Sequence, residues 1–425
     1  MSDFRMLEFP ISVNNALLQV NVADSYTALS GQQIDFIFGH SDSPFTQFGF
    51  LKALEDSGCI GLNTGWLPKY HLIYEQDTLL GLLIMYEKHH SYGEYVFDWA
   101  WAQAYHQHGI EYYPKLLCAI PFTPVPCKKW LGSDTLSEFD VFSALQQHYR
   151  ETLEYTGLHL NYPNSLEASE LPPAIMVREG HQFHWFNSVP VNLVNDVSAC
   201  TETLEPVVDV ASKQNLINAD RFADFDHYLS TMTARKRKSI KKERLQIKNL
   251  GIECVWRTGT EITKTEAHAF YTFYQLTYEI RGQQGYLNQT FFDQIFSTLS
   301  DNIRLLVCYH DQQVVATALY FVDANTLYGR YWGSDQQFDL LHFEACYYQG
   351  IAYCIDHGLT CFNPGTQGEH KISRGFKPTL TYSYHAIYLD PFEQAIKRFC
   401  LDEKAHNRLY MAECEKKLPF KKIEC

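Results

Sequence analysis

Two stretches of this chain pass through the same order of elements, and that repetition restricts the fold more than any other feature. His71–His90, HLIYEQDTLLGLLIMYEKHH, is two short apolar runs about a turn; Arg304–Asp323, RLLVCYHDQQVVATALYFVD, has the same form. Asp77 and Asp311 occupy the two turns, 234 residues apart. Trp99 and Trp332, 233 apart, are read as the ends of comparable aromatic strands. Helix-like stretches precede both units, SPFTQFGFLKALEDSG before the first and NQTFFDQIFSTLSD before the second. A repeated element order is the mark of a repeated architecture, and 425 residues exceed what one hydrophobic core usually supports. The expectation is an α/β (α+β) protein of two domains, each a mixed central sheet flanked by helices. We place them at residues 30–205 and 206–395, with a helical tail over 396–425 and the boundary near Glu202 to Leu216.

Charge is distributed unevenly. The formal net charge of −14 argues against general coating of nucleic acid. Yet Arg235–Lys248, RKRKSIKKERLQIK, holds eight basic residues and one acid. Lys238, Lys241 and Lys242 fall at i, i+3 and i+4, so one helical face repeats positive charge. With Arg235 they form a candidate surface for a phosphate-bearing or otherwise anionic partner; the alternative is a solvated helix. The run lacks interleaved aromatics, so it gives no sign of base stacking.

The densest chemistry lies between Tyr328 and Pro378. An aromatic strand, LYGRYWG, leads to an apolar-periodic helix from His342 to Asp356, then to FNPGTQGEHKISRGFKP. Alternation puts Tyr328, Arg330 and Trp332 on one face of the strand. A charge among aromatics needs a partner, which a ligand anion or Glu344 would supply. His342 and Glu344 open the helix, where a terminus favours anions. Phe343, Cys346, Tyr347 and Ile351 form its core stripe. Gln367, Glu369, His370, Lys371 and Arg374 then sit among Gly365, Gly368 and Gly375. Glu369 and His370 are the candidate acid–base pair, with His370 as base and Glu369 as its orienter. Lys371 and Arg374 suit a carboxylate or phosphate, Arg374 through its planar fork. In the first unit the corresponding strand is expected to carry Glu94 and Asp98.

Other chemistries lack their motifs. There is no H-E-x-x-H, phosphate loop, dinucleotide glycine motif or G-x-S-x-G, so no metal is expected. The twelve cysteines contain no C-x-x-C pair and read as buried thiols in a reducing cytoplasm. The longest strongly apolar run, Leu79 to Met85, is too short to cross a bilayer. The N-terminal residues lack the apolar core of a secretory signal, so a cytoplasmic protein is expected.

Long segments resemble the FemAB-like branch of the GNAT acyltransferase superfamily, the peptidoglycan biosynthesis or recognition proteins. They include HSYGEYVFDWAWA from His90, YYPKLL from Tyr112, QFHW from Gln182 and TARKRKSIKKER from Thr233. LYGRYWG from Leu327, LHFEACYYQG from Leu341 and GTQGEHKISRGF from Gly365 continue the likeness, which covers roughly Ser43 to Leu389. The resemblance implies tandem GNAT-like domains and transfer of an acyl or aminoacyl group to an amine, such as one on a cell-wall precursor. Tyr328–Trp332 and Gln367–Arg374 would line the acceptor cleft, and the basic helix would meet tRNA or a phosphate-bearing precursor. Asp98 joins Glu369 and His370 as a candidate catalytic residue. Aminoacyl-tRNA and acyl-CoA both stand as co-substrates, with no tightly bound cofactor. The chain lacks the inserted helical hairpin of the tRNA-using wall enzymes, and GSDQQFDLL, where acyl-CoA enzymes cradle pyrophosphate, has one glycine and two aspartates. A CoA-dependent N-acetyltransferase and a non-catalytic precursor-recognition protein remain alternatives.

Overall fold

A computed structural model describes residues 7–164, 171–189, 220–336, 338–366 and 368–421. The boundary read at Glu202 to Leu216 lies outside these residues. The described chain forms two compact units: residues up to Gly180 with Tyr286–Phe291 and Thr381–Asn407, and His181–Gly285 with Phe292–Leu380 and residues from Arg408 on.

The first unit is built on β1 (Leu7–Val13), β2 (Ala16–Ala23), β3 (Trp66–Pro68), β4 (Tyr70–Glu75), β5 (Thr78–Leu83), β6 (Tyr86–Lys88), β7 (Lys115–Cys118), β8 (Trp130–Gly132) and β9 (Gly157–Asn161). An antiparallel layer has the order β1-β2-β4-β5-β8, and a mixed layer runs β9-β7-β6-β3. Only short breaks separate β3 from β4 and β5 from β6, so one hairpin serves both layers. Asn14 and Asn15 both take positive φ between β1 and β2, the geometry a two-residue hairpin demands. The helix Glu138–Thr152 starts at a reciprocal cap: Asp140 N–H donates to Ser137 Oγ, and Ser137 N–H to the Asp140 carboxylate. Its apolar face (Phe142, Leu145) closes the core over Trp130 and Tyr384.

Strand β10 (Met176–Phe186) carries the chain into the second unit. There follow β11 (Glu253–Thr258), β12 (Ile303–His310), β13 (Gln313–Val322), β14 (Thr326–Ser334), β15 (Cys361–Asn363) and β16 (Lys377–Ile387), whose residues from Thr381 on belong to the first unit and pair there with β9 through Ser383–Ile387. The order β11-β12-β13-β14-β15 is antiparallel up to β14, and β15 lies parallel to β14. The helical segment Leu341–Asp356 makes that crossover. Tyr347, Ile351, Cys354 and Ile355 are buried on it as the periodicity requires, with Phe343 and Cys346 packed at the core's edge.

The duplication is visible as two hairpins, β4–β5 with Asp77 in its turn and β12–β13 with Asp311 in its turn. Each is followed by a strand, a crossover helix and a parallel partner strand: β7 to β9, and β14 to β15. The counterpart of β14 is therefore β7. Trp99 does not end a strand; it opens the helix Trp99–Gln107, and Glu94 and Asp98 lie before that helix. The tail helix starts earlier than residue 396, at Asp390, and ends at Lys416.

One close approach fixes where β14 sits. A Cβ at Gly333 would fall 2.2 Å from the Phe273 carbonyl oxygen on the helix Lys264–Glu279, and Thr277 Oγ1 donates to the Trp332 carbonyl at 3.0 Å. Gly333→Ala should therefore cost about 1–3 kcal/mol by overpacking, read as a lower urea midpoint at unchanged slope. An unchanged midpoint would show that helix and strand are not held this close.

Candidate functional site

The parallel ladder of β14 and β15 is short. It pairs Thr326, Leu327 and Tyr328 with Cys361, Phe362 and Asn363, and then stops. On its other side β14 is irregular: Gly329 faces Tyr320 and Tyr331 faces Leu319, leaving Arg330 as the extra residue of a β-bulge. A bulge inverts the alternation beyond it. Tyr328 and Tyr331 therefore share one face, and Gly329 and Trp332 the other. Tyr328 is buried with its hydroxyl on Asp323 (2.6 Å), away from Trp332. The single face expected for Tyr328, Arg330 and Trp332 does not form. Arg330 is half-buried, its guanidinium 5.6 Å from the Tyr331 ring centre.

The loop after β15 comes back to this edge. A Cβ on Gly365 (φ +88°) would lie 3.4 Å from the Gly329 carbonyl oxygen. Lys371 is buried and donates its ammonium to the Gly365 carbonyl at 2.6 Å. Residues Glu369–Arg374 form a 3₁₀ turn between Gly368 (φ +109°) and Gly375 (φ +85°). Both positions lie where side chains are strained, and a Cβ would collide with the His370 ring in one case and the Tyr228 hydroxyl in the other.

The turn sends adjacent residues apart. The Glu369 carboxylate accepts from Tyr410 at 2.7 Å, whereas His370 Nε2 shares a 2.7 Å hydrogen bond with the Tyr347 hydroxyl. Tyr347, not Glu369, orients the imidazole. His342 links the pieces, its ring 5.5 Å from Trp332 and 6.1 Å from His370. Thus Trp332, His342, Tyr347 and His370 form one aromatic and imidazole cluster beside Lys371. Gln367 lies outside the described residues.

Arg374 and Glu344 are held inward rather than offered to a ligand. Arg374 donates to Glu243 (2.9 Å) and to the His370 carbonyl (2.9 Å), with its guanidinium 3.6 Å above the Phe343 ring. Tyr348 also donates to Glu243. Glu344 is buried and takes Arg244 (3.1 Å) and the Gln349 amide (2.8 Å). Glu344–Tyr348 is a π-helical turn, in which Gln349 N–H reaches back to the Glu344 carbonyl. The Ala345 carbonyl, whose α-helical donor is thereby taken, accepts instead from the Tyr320 hydroxyl.

Burial sets the protonation of the cluster. It lowers the Lys371 pKa to about 7, with Cys346 opposing. It lowers His342 to about 4, helped by the nearness of His370, Lys371 and Arg374. His370 is lowered by burial, then by Lys371 and Arg374. Near neutrality the imidazoles are uncharged and Lys371 is poised between forms.

The basic run forms the helix Ala234–Asn249. Ile240 and Ile247 anchor it in the core, and Arg235, Lys238, Lys241 and Lys242 are exposed. Lys241 pairs with Asp226 at 2.7 Å. Its inward residues Glu243 and Arg244, the Tyr347 hydroxyl and Tyr410 were not singled out by the sequence reading. Of these only Glu243 carries a sequence signal, as the one acid of a cationic run.

Asp98 belongs to a closed ionic cluster of the first unit. Lys115 donates to Asp98, to Glu94 (2.8 Å) and to Ser91 (3.2 Å), while Tyr112 donates to Asp98 at 2.7 Å. Lys88 lies 3.9 Å from Glu94 and 3.6 Å from the Trp66 ring centre. Burial alone would raise the Asp98 pKa, but Lys115 outweighs it and holds the pKa down at about 2. A carboxylate so fixed in its anionic form is an ion-pair anchor and a poor proton acceptor. Among the described residues no cluster of His, Cys, Asp or Glu has metal-binding geometry, and no helix is long and apolar enough to cross a membrane.

A family model described as peptidoglycan biosynthesis/recognition matches residues 25–193 and 188–422. The chain belongs to the FemAB-like family. Its two matches fall on the two halves of the repeat, each an α/β unit with a mixed sheet flanked by helices. Among solved structures, FemX is 10% identical with a TM-score of 0.44, covering 87% of this chain and 98% of its own. A Bacteroides thetaiotaomicron protein of unknown function is 10% identical at 0.45, covering 86% and 98%. A tandem GNAT protein from the clavulanic acid biosynthesis pathway is 9% identical at 0.39, covering 88% and 99%. No curated protein sequence matches the chain.

Lys371 yields a test with a definite sign. Its folded-state pKa of about 7 lies below its ordinary 10.5. Between these values the unfolded chain binds the extra proton, so stability rises with pH across the window. The cost of burying the charge is fully present below pH 7 and gone above 10.5. Lys371→Met should gain most in stability relative to the parent near pH 6–7, and that gain should shrink by pH 10, as followed by urea unfolding. A pH-independent difference would mean that Lys371 titrates normally.

Proposed function

We propose that the second unit is the catalytic half of an N-acyltransferase that moves an acyl or aminoacyl group from a phosphate-bearing carrier to an amine. The family's description directs the acceptor toward cell-envelope precursors. One observation carries this reading: the β14–β15 ladder ends at Tyr328 and Asn363, and the loop that follows brings the His370–Tyr347 pair and Lys371 to that ladder end. Where a ladder ends, backbone donors no longer paired across it are able to polarise an acyl carbonyl. His370, exposed and held by Tyr347, accepts the proton that the attacking amine must lose. Lys371 fixes the glycine loop through the Gly365 carbonyl and lends positive charge when protonated. The exposed cations of the basic helix meet the phosphates of the carrier, and aminoacyl-tRNA and acyl-CoA both fit that requirement.

The experiment is a transfer assay with a soluble cell-wall stem peptide as acceptor, read by mass. Charged tRNA and acyl-CoA are supplied separately, with ribonuclease pretreatment of the first. Transfer abolished by ribonuclease assigns the tRNA donor, and saturable transfer from acyl-CoA assigns the other. Precursor binding without transfer from either donor would overturn the enzymatic reading in favour of recognition alone.

His370→Ala should lower turnover by about 10²- to 10⁴-fold without loss of folded protein. With His370 as base, activity falls on acidification through a pKa below 6.5, and that acid limb should vanish in the variant. An unchanged limb would assign the proton to another group. Replacing Arg235, Lys238 and Lys242 by Gln should reduce the slope of log affinity against log salt by about 0.7–0.9 per lost phosphate contact. An unaltered slope would leave the face merely solvated.

A further inference from the structure

Cys254 on β11 and Cys308 on β12 are direct partners across the antiparallel ladder, and their sulfurs lie 3.5 Å apart. Cys308 is buried and Cys254 is half-buried on the outermost strand of the second unit's sheet. Of the two, Cys254 is therefore the thiol that a small solute reaches. Its partner is already in hydrogen-bond contact, directly opposite across the ladder. A hydrogen bond to Cys254, and then burial, keep the Cys308 thiol protonated, so it can serve only as the second, resolving sulfur.

We propose that Cys254 and Cys308 form an oxidative modification site, in which a peroxide converts the cross-strand thiol pair into an intrachain disulfide. The Cys254 thiolate attacks one peroxide oxygen; the O–O bond breaks and hydroxide leaves, taking up the proton that Cys254 released. Cys254 is then a sulfenic acid. The Cys308 sulfur attacks the sulfenic sulfur, the S–S bond forms and the S–O bond breaks, and the hydroxyl departs as water with the proton of Cys308. In sum, two thiols and one hydrogen peroxide give a disulfide and two waters; the sulfurs lose two electrons and the peroxide gains them. A dithiol reductant reverses the change. Cys308 lies in the same core as Ala345, Tyr347 and Tyr348, with Cys254 packed against it, so the link forms beneath the π-helical turn.

The test uses the full chain and hydrogen peroxide. After exposure, remaining thiols are alkylated under denaturing conditions and the protein is digested with trypsin without reduction. Residues 249–257 and 305–330 are separate tryptic peptides with one cysteine each. The expected product is these two peptides linked, lighter by two hydrogens than their sum, in most of the protein and absent after dithiothreitol. Cys308→Ser should leave Cys254 as a sulfenic acid captured by dimedone. Cys346→Ser should leave the link intact. Both cysteines recovered alkylated from folded, peroxide-treated protein would overturn the proposal, as would Cys308 linked to Cys346. The measurement on the parent chain decides even if a variant fails to fold.

Discussion

Two neighbouring residues on the basic helix hold the second unit's site in shape. Glu243 takes Arg374 and Tyr348, and Arg244 takes Glu344. Successive helical residues point about 100° apart, so the pair clamps two different elements, the 3₁₀ turn of Arg374 and the π-helical turn of Glu344. These contacts are largely shielded from water, where breaking one partner typically costs about 3–5 kcal/mol. The cost arises because the remaining charge is left buried. The clamp therefore specifies a single arrangement of the two turns, and that arrangement places His370 on Tyr347.

The same helix offers opposite faces to different tasks. Its outward cations are exposed, whereas Glu243 and Arg244 are turned toward the core. A partner that pulled on the outer face would act on a helix whose inner face grips the site. Composition alone conceals this, because a run with a balance of +7 in a chain of −14 reads as one patch of charge.

Long-period features were legible in the sequence, and features set by single residues were not. The repeat, the paired hairpins around Asp77 and Asp311, and the buried stripe from Tyr347 to Ile355 follow from periodicity, which burial of one face enforces. The bulge at Arg330 inserts one residue into an otherwise regular strand, so it leaves no periodic trace and moves Tyr328 to the wrong face. Trp99 looked like a strand end because its neighbours are aromatic, yet the segment before it turns through positive-φ Gly93 and Tyr95. Glu369 and His370 are adjacent in sequence, and the turn separates them. The partners that matter, Tyr347 and Tyr410, come from 23 and 41 residues away.

Buried charge is settled residue by residue, and the outcome bears on where chemistry can occur. In the first unit Lys115 meets Asp98 and Glu94 and holds Asp98 ionised, while burial raises Glu94 to about 7 and lowers Lys88 to about 6. In the second unit Lys371 is equally buried and faces a neutral carbonyl, with Cys346 alone among the described residues favouring its charge. A charge whose partners outweigh burial, as at Asp98, is chemically quiet, because its pKa is driven far from neutrality. An uncompensated one is driven toward neutrality, where a small change in its surroundings alters its protonation. Duplication thus supplied two related scaffolds. The loop after β15 leaves the Lys371 amine beside a neutral carbonyl, which is what the proposed proton transfer at this ladder end requires.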